Sequence, residues 1–374
     1  MRIVLAPDSF KGSVTALEAC QAMAEGIQEV DPSAEIVMAP MADGGEGTVE
    51  NLVSAYEGRI VEVEVTGPAG KPVKAKYGII KDNLCIVEVA ETSGLVLLSD
   101  EEKNPLVTTT YGFGELISDA LCKGCKTFVI GLGGSGTNDG GCGMAEALGY
   151  EFLDAKGESI DRGGGSLDKL ANIRTDNVNK KVFDATFMIA CDVKNPLCGP
   201  EGASYVFGPQ KGATEEDVEV LDNNLKHLAE VIKNDMGMDV CEMPGAGAAG
   251  GLGAGTVTFL RGKLQDGFKI ISELLELKEK IVDADLVFTG EGQCDFQTLD
   301  GKAPFGVVSL AKEAGLPSVI IAGSVGKGVD PFYDMGVREI INIKKDDMTL
   351  DYAKMHAKKL IRKAAHEAYQ RLRF

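Results

Sequence analysis

Histidine is scarce. The 374 residues contain three, His227, His356 and His366, and each falls in a stretch patterned as an amphipathic helix, where an imidazole is solvated or packed. That placement argues against a Ser-His-Asp triad and against a histidine metal centre. Positive charge is in short supply as well: 38 Lys and Arg against 57 Asp and Glu leave a net charge of −19. Such a surface repels phosphate backbones and anionic headgroups at long range, so neither nucleic acid nor a membrane is an expected partner. An anionic ligand would have to be held by local features. No apolar run approaches the roughly eighteen residues of a membrane span, and "MRIVLAP" is too short for a secretory segment before "DSFKGS" follows, so a cytoplasmic protein is expected. The P-loop pattern GxxxxGK[S/T] is missing. Nine cysteines, an odd count at irregular spacing with a lone Cys122-x-x-Cys125, suggest reduced and mostly buried thiols.

What is present is an ordinary globular composition, 44% hydrophobic and 25% charged, on a chain long enough for two or more domains. Short apolar runs alternate with amphipathic stretches, the pattern of an α/β protein with a mainly parallel sheet. Ile3 to Ala6 reads as a buried strand. Thr15 and Glu18 form a capping-box pair ahead of a helix with Leu17, Cys20, Ala24 and Ile27 on one face. A second strand, Glu35 to Ala39, precedes a helix over about Thr48 to Tyr56. The rhythm then changes: "RIVEVEVTG", "KPVKAKYGII" and "NLCIVEVA" alternate apolar with polar residues between turn signals, as antiparallel strands do. It returns with strands at Asp285 to Thr289, Ser318 to Ala322 and Glu339 to Ile343, and a last helix from about Leu350. The pattern predicts a discontinuous doubly wound domain, residues 1–58 plus 283–374, interrupted by a second α/β domain over 59–282.

Ligands of open parallel sheets bind beyond the carboxyl ends of the strands. The segments there are "PDSFKGS", "PMADGGEGT", "TGEGQCDFQTLDGKAP" and "GSVGKG", with glycines that permit close backbone approach, carboxylates in the first three, and Lys11, Lys302 and Lys327 nearby. The second domain adds "GLGGSGTNDGG" after Phe128 to Ile130, "ACDVKNPLCG" after Phe187 to Ala190, "FGPQKGA" and "PGAGAAGGLGAG". Taken singly, such a loop reads equally well as turns and helix caps. Gly131-x-Gly133-x-x-Gly136 with Asp154 downstream matches a dinucleotide fingerprint, but Gly245-x-Gly247-x-x-Gly250 matches without a preceding strand, so the pattern discriminates little here. Phosphates would be held by backbone N–H groups of glycine loops and by lysines such as Lys211 and Lys302. Asp192 and Asn195 suit magnesium or substrate oxygens, the alternative being an Asx turn into Pro196. A supply of Asp, Asn, Glu, Gln and Lys on glycine loops fits phosphoryl transfer, which needs positioning, charge neutralisation and a proton acceptor, and so points to a kinase of a small hydroxylated metabolite.

As a set, "APDSFKGSVTA", "PMADGGEGT", "TYGFGELI", "GGSGTNDGG", "ACDVKNPLCGPEGAS", "FGPQKGA", "PGAGAAGGLG" and "TGEGQCDFQTLDGKAPFGV" resemble the signature segments of class I bacterial glycerate kinases, from the first strand to the last. The resemblance implies a flavodoxin-like domain with an inserted domain, and ATP-dependent phosphorylation of D-glycerate to 2-phosphoglycerate in glyoxylate and sugar-acid degradation, with 3-phosphoglycerate as the alternative product; Mg2+ is expected from the chemistry of phosphoryl transfer. Gly136 stands where relatives often carry Ala.

Roles follow from chemistry placed on those motifs. Asp192 and Asp295 are expected as metal ligand and proton acceptor in either order, and Lys11, preferred over Lys211 and Arg261, as the cation for the glycerate carboxylate. Gly133, Gly134, Ser135, Asn138, Asp139, Lys211, Gly247, Gly250, Gly290, Glu291 and Lys302 are expected around the nucleotide. Asp8, Ser9, Lys11, Asp43, Asn195 and Gln297 are expected around the substrate, and Asp192, Asp139 and Glu291 around the metal. The glycine loop should wrap its ligand at the interdomain cleft, with closure of the domains keeping water from ATP. Two rivals are an NAD-dependent hydroxy-acid dehydrogenase, which lacks a loop histidine, and a non-catalytic sugar-acid binding protein, which lacks a DNA-binding helix pair to transmit a signal.

Overall fold

The computed structural model describes residues 1–42, 47–81 and 83–372. Following the chain, β1 (Arg2–Leu5) and β2 (Glu35–Met38) come first. Next are β3 (Arg59–Thr66), β4 (Pro72–Ile80), β5 (Leu84–Glu88), β6 (Thr127–Gly131), β7 (Glu151–Leu153), β8 (Asn172–Arg174), β9 (Thr186–Ala190) and β10 (Lys263–Gln265). The chain closes with β11 (Leu286–Cys294), β12 (Ser318–Val325) and β13 (Val337–Asn342). Contacts divide it into two compact units, Met1–Asp43 with Phe268–Phe374, and Gly44–Gly267.

In the first unit the sheet order is β13-β12-β11-β1-β2, every pair parallel. Ile3, Val4 and Leu5 are all fully buried, because helices cover both faces, as parallel sheets require. One face packs Phe288 and Ile321 against the helices Ala16–Val30 and Ala357–Leu372; the other packs Ile320 and Ala322 with Val308 and Phe332. The expected capping box is present, Glu18 N donating to Thr15 Oγ1 (3.2 Å) and Thr15 N to Glu18 Oε2 (2.9 Å). The last helix, expected to be continuous from Leu350, breaks at His356 into Leu350–Met355 and Ala357–Leu372.

The second unit carries a mixed sheet, β10-β9-β6-β5-β4-β3. β3, β4 and β5 form the antiparallel meander that alternation predicts, and β5, β6, β9 and β10 pair in parallel. The helix Thr48–Ala55 belongs to this unit, not to the first as its place in the sequence suggested. Its Val49 and Val53 lie against Gly78 of β4, where a Cβ would stand 2.3 Å from Val53 Cγ2, so the absent side chain is what admits the helix.

Candidate active site

Each unit gathers part of the expected set. In the first, the chain beyond β1 crosses β11: Ala6 N donates to Phe288 O and Asp8 N to Gly290 O, both at 2.8 Å. Asp8 Oδ1 accepts from Ser9 N (2.6 Å), and Lys11 projects from the following turn, exposed. β11 does not end at Thr289 as expected. It runs on through Gly290 and Glu291 to Cys294, pairing Gln293 with Ser324 and Cys294 with Val325 of β12.

Gly290 is therefore a strand residue, and a Cβ there would lie 2.1 Å from Ile321 O. Its missing side chain admits the neighbouring strand, so the residue expected in a nucleotide loop lies inside a strand. Glu291 is 8% exposed and accepts from Thr298 Oγ1 (2.7 Å). Asp295 caps the turn Phe296–Asp300: Oδ1 accepts from Gln297 N (2.9 Å) and Oδ2 from Gln293 Nε2 (2.7 Å), which fixes the carboxylate plane. Gln297 is exposed and Lys302 half-buried at the start of the helix Ala303–Glu313. The structure thus brings Asp8, Ser9, Lys11, Glu291 and Asp295 to one end of this sheet. Asp43 lies outside the described residues.

In the second unit the glycine loop after β6 has two tiers. Gly133 and Gly134 form an exposed tip, with Gly134 at φ +73°, while Ser135 to Gly141 are buried. Leu95 N donates to Gly134 O and Gly136 N to Ser93 O, both at 2.8 Å. Asp139, expected to bind metal and nucleotide, faces inward instead. It is 1% exposed, and its carboxylate accepts from Thr110 N (2.7 Å), Thr110 Oγ1 (2.9 Å), Gly141 N (3.1 Å) and Gly143 N (3.3 Å). Burial pushes its carboxyl up, opposed by those donors. The group is an internal anchor of the loop.

Four other expected nucleotide ligands share that inward position. Asn138 is fully buried with Nδ2 on Ser204 Oγ (3.0 Å), and Lys211, 1% exposed, donates to Thr137 O (2.7 Å). Gly247 and Gly250 meet protein backbone: a Cβ would stand 2.2 Å from Pro196 O at the first and 2.0 Å from Thr137 O at the second. These glycines serve backbone packing, where a loop ligand was expected. Sequence patterning could not distinguish the two uses, because each requires the same missing side chain.

Asp192, beyond β9, is exposed, with Oδ1 accepting from Gly267 N (2.8 Å); Asn195 is half-buried and donates through Nδ2 to Glu201 O (2.7 Å). Arg261 lies with its guanidinium carbon 4.7 Å from the centre of the Phe183 ring. Among the described residues no group of three or more His, Cys, Asp or Glu side chains could hold a metal ion. Magnesium bound largely by substrate phosphates needs only one or two protein carboxylates, a role that exposed Asp192 fits and saturated Asp139 does not. Sequence reasoning missed Glu88, a buried carboxylate closing β5, although an acid inside the apolar run "LCIVEVA" was a visible signal. It also missed Thr109 and Thr110, the anchors of Asp139.

The glycerate kinase family model matches residues 3–373. The chain is 47% identical to the glycerate 2-kinase of Escherichia coli K12 over 94% of its length and 93% of the relative's. It is 45% identical to the glycerate kinase of Bacillus subtilis 168, with 98% and 96% covered. A crystal structure of a protein assigned as glycerate kinase 2 from Salmonella typhimurium LT2 superposes with a TM-score of 0.92 at 44% identity, covering 100% of this chain and 98% of that one. With one parallel and one mixed sheet, its glycine loops and these full-length matches, the chain belongs to the glycerate kinase family.

Proposed function

We infer that the protein transfers the terminal phosphoryl group of ATP to the 2-hydroxyl of D-glycerate, giving 2-phosphoglycerate and ADP. The observation that carries this reading is the near full-length match to a relative named glycerate 2-kinase. A role in glyoxylate and sugar-acid degradation in the cytoplasm goes with it. The first unit is read as flavodoxin-like and doubly wound, which the strand order 2-1-3-4-5 in its own count and the apolar clusters on both faces support.

Backbone N–H groups of the tip Gly133–Gly134 with Ser135 receive phosphate oxygens, and Lys302 adds a cation. Lys11 meets the glycerate carboxylate, while Asp8, Ser9, Asn195 and Gln297 orient its hydroxyls. Asp295, held by Gln293 and Gln297, accepts the hydroxyl proton as the oxygen attacks phosphorus. Asp192, with Glu291 as a second candidate, would hold magnesium, which when bound neutralises charge on the transferred group.

Incubation with ATP, magnesium and D-glycerate, followed by phosphorus NMR, tests the reading. The 2-phosphate should appear. The 3-phosphate alone would overturn the position, and the absence of glycerate-dependent ADP release would overturn the function. Tight NADH binding without an effect of ATP would favour the dehydrogenase.

A further inference from the structure

We propose that Lys211 is a positioning residue of the second unit, fixing the Thr137 carbonyl from inside and thereby the glycine loop whose exposed tip is Gly133–Gly134. The proposal rests on the reading that this tip receives phosphate oxygens.

Lys211 ends the short turn Pro209–Lys211, and its ammonium is withdrawn from solvent to donate to Thr137 O at 2.7 Å. Burial pushes the amine down and nearby Asp139 pulls it up. A long apolar side chain would fill the same volume without that desolvation, so retaining an amine here is costly unless the bond it makes is needed. Buried in this way, Lys211 acts through the loop and not on a ligand.

The carbonyl it holds is enclosed. On another side Gly250, at φ +69°, lies so near that any Cβ would come within 2.0 Å of Thr137 O. Of the neighbouring side chains, Asn138 is tied through Nδ2 to Ser204 Oγ (3.0 Å), while Thr137 Oγ1 and Asn138 Oδ1 are buried without a hydrogen-bond partner. The rest of the loop is tied elsewhere, by Leu95 N to Gly134 O and Gly136 N to Ser93 O before Thr137, and by Gly140 N to Gly250 O (3.1 Å) after it. Thr108 Oγ1 also donates to Gly136 O at 2.9 Å. Lys211 is the side chain that fixes the carbonyl between these ties. Losing it frees the Thr137–Asn138 peptide, three positions past Gly134, while the strand before and the helix after stay in place.

The test is Lys211→Met beside Gly134→Ala, each compared with wild type per folded molecule, with folding followed by circular dichroism. A loop displaced by about 1 Å costs turnover more than ground-state binding, so Lys211→Met should lower kcat by roughly 10- to 100-fold and change either KM by no more than about threefold. A purely structural lysine would lower the folded fraction and leave kcat of the folded molecules alone. If Gly134→Ala is impaired while Lys211→Met keeps at least half of wild-type kcat, the clamp is overturned and the loop's role stands. If both are neutral, the phosphate role of the tip falls and the clamp with it. Should Lys211→Met not fold, Lys211→Gln takes its place under the same criteria. Failure of both to fold would make Lys211 a folding residue and overturn the proposal.

Discussion

Glu88 stands at the end of β5, 5% exposed, accepting from Thr48 N (2.7 Å) and Val49 N (3.4 Å) at the start of the helix Thr48–Ala55. Burial first and the Glu50 carboxylate second push its carboxyl from the ordinary 4.5 up to about 7, against those two N–H donors. The folded chain thus holds this proton more tightly than the unfolded one. Its stabilising contribution is complete below the unfolded value and is lost as pH rises through about 7, a total of roughly 3 kcal/mol. Urea denaturation of wild type and Glu88→Gln across that range should show wild type losing ground as pH rises; a pH-independent difference would mean that Glu88 titrates normally. Asp192 and Asp295 make a second test. Replacing either with Asn keeps the shape and removes the charge, so turnover should fall by about 100- to 10,000-fold for the proton acceptor. The metal ligand's variant should also need more magnesium to reach its reduced maximum. Variants that both keep more than half of wild-type turnover would refute the assignment and send it to Asp8.

At the scale of elements, glycine decides how closely backbones meet. Gly26 sits where the helix Ala16–Val30 crosses Ala357–Leu372, and a Cβ there would stand 2.1 Å from Arg362 O. Gly26→Ala must separate two helices that share the Tyr369 and Ile361 core, and should cost about 1–3 kcal/mol by overpacking, read as a lower denaturation midpoint with an unchanged slope. Unchanged stability would show that the helices slide apart freely. The same contrast explains what the sequence could and could not reveal. Thr15 with Glu18, the alternation of β3 and β4, and the apolar runs of β1 and β6 are local signals, and they appear where expected. The course of β11 was hidden because Gly290, Gly292 and Gly323 read as breakers, while in the fold they let β11 and β12 close on each other: a Cβ on Gly323 would stand 2.4 Å from Gly292 O. Asp139 was misjudged for a related reason. Its donors Thr109 and Thr110 lie about thirty positions earlier in the chain, and spacing alone cannot show which way a carboxylate in a glycine loop faces.

For the whole molecule, a charge of −19 opposes the arrival of an anionic nucleotide and an anionic acid alike. Raising ionic strength from about 0.01 to 0.15 M shortens the screening length from roughly 30 to 8 Å, so kcat/KM for both ligands should rise by about two- to tenfold. A fall would mean that the field of local lysines such as Lys11 and Lys302 governs the approach.

Strand order also sets a timetable for synthesis. β1 is sandwiched between β2 and β11, so its second neighbour leaves the ribosome about 250 residues after β2, on the order of ten to fifty seconds later at ordinary elongation rates. Until then Ile3 and Leu5 belong to a two-stranded ribbon that cannot hide them. The residues made in the interval, Gly44–Gly267, hold an entire core of their own. The nascent protein is therefore built from its middle outward: a chain stalled just past Gly267 should already resist brief proteolysis across the second unit, while its first forty residues are still digested.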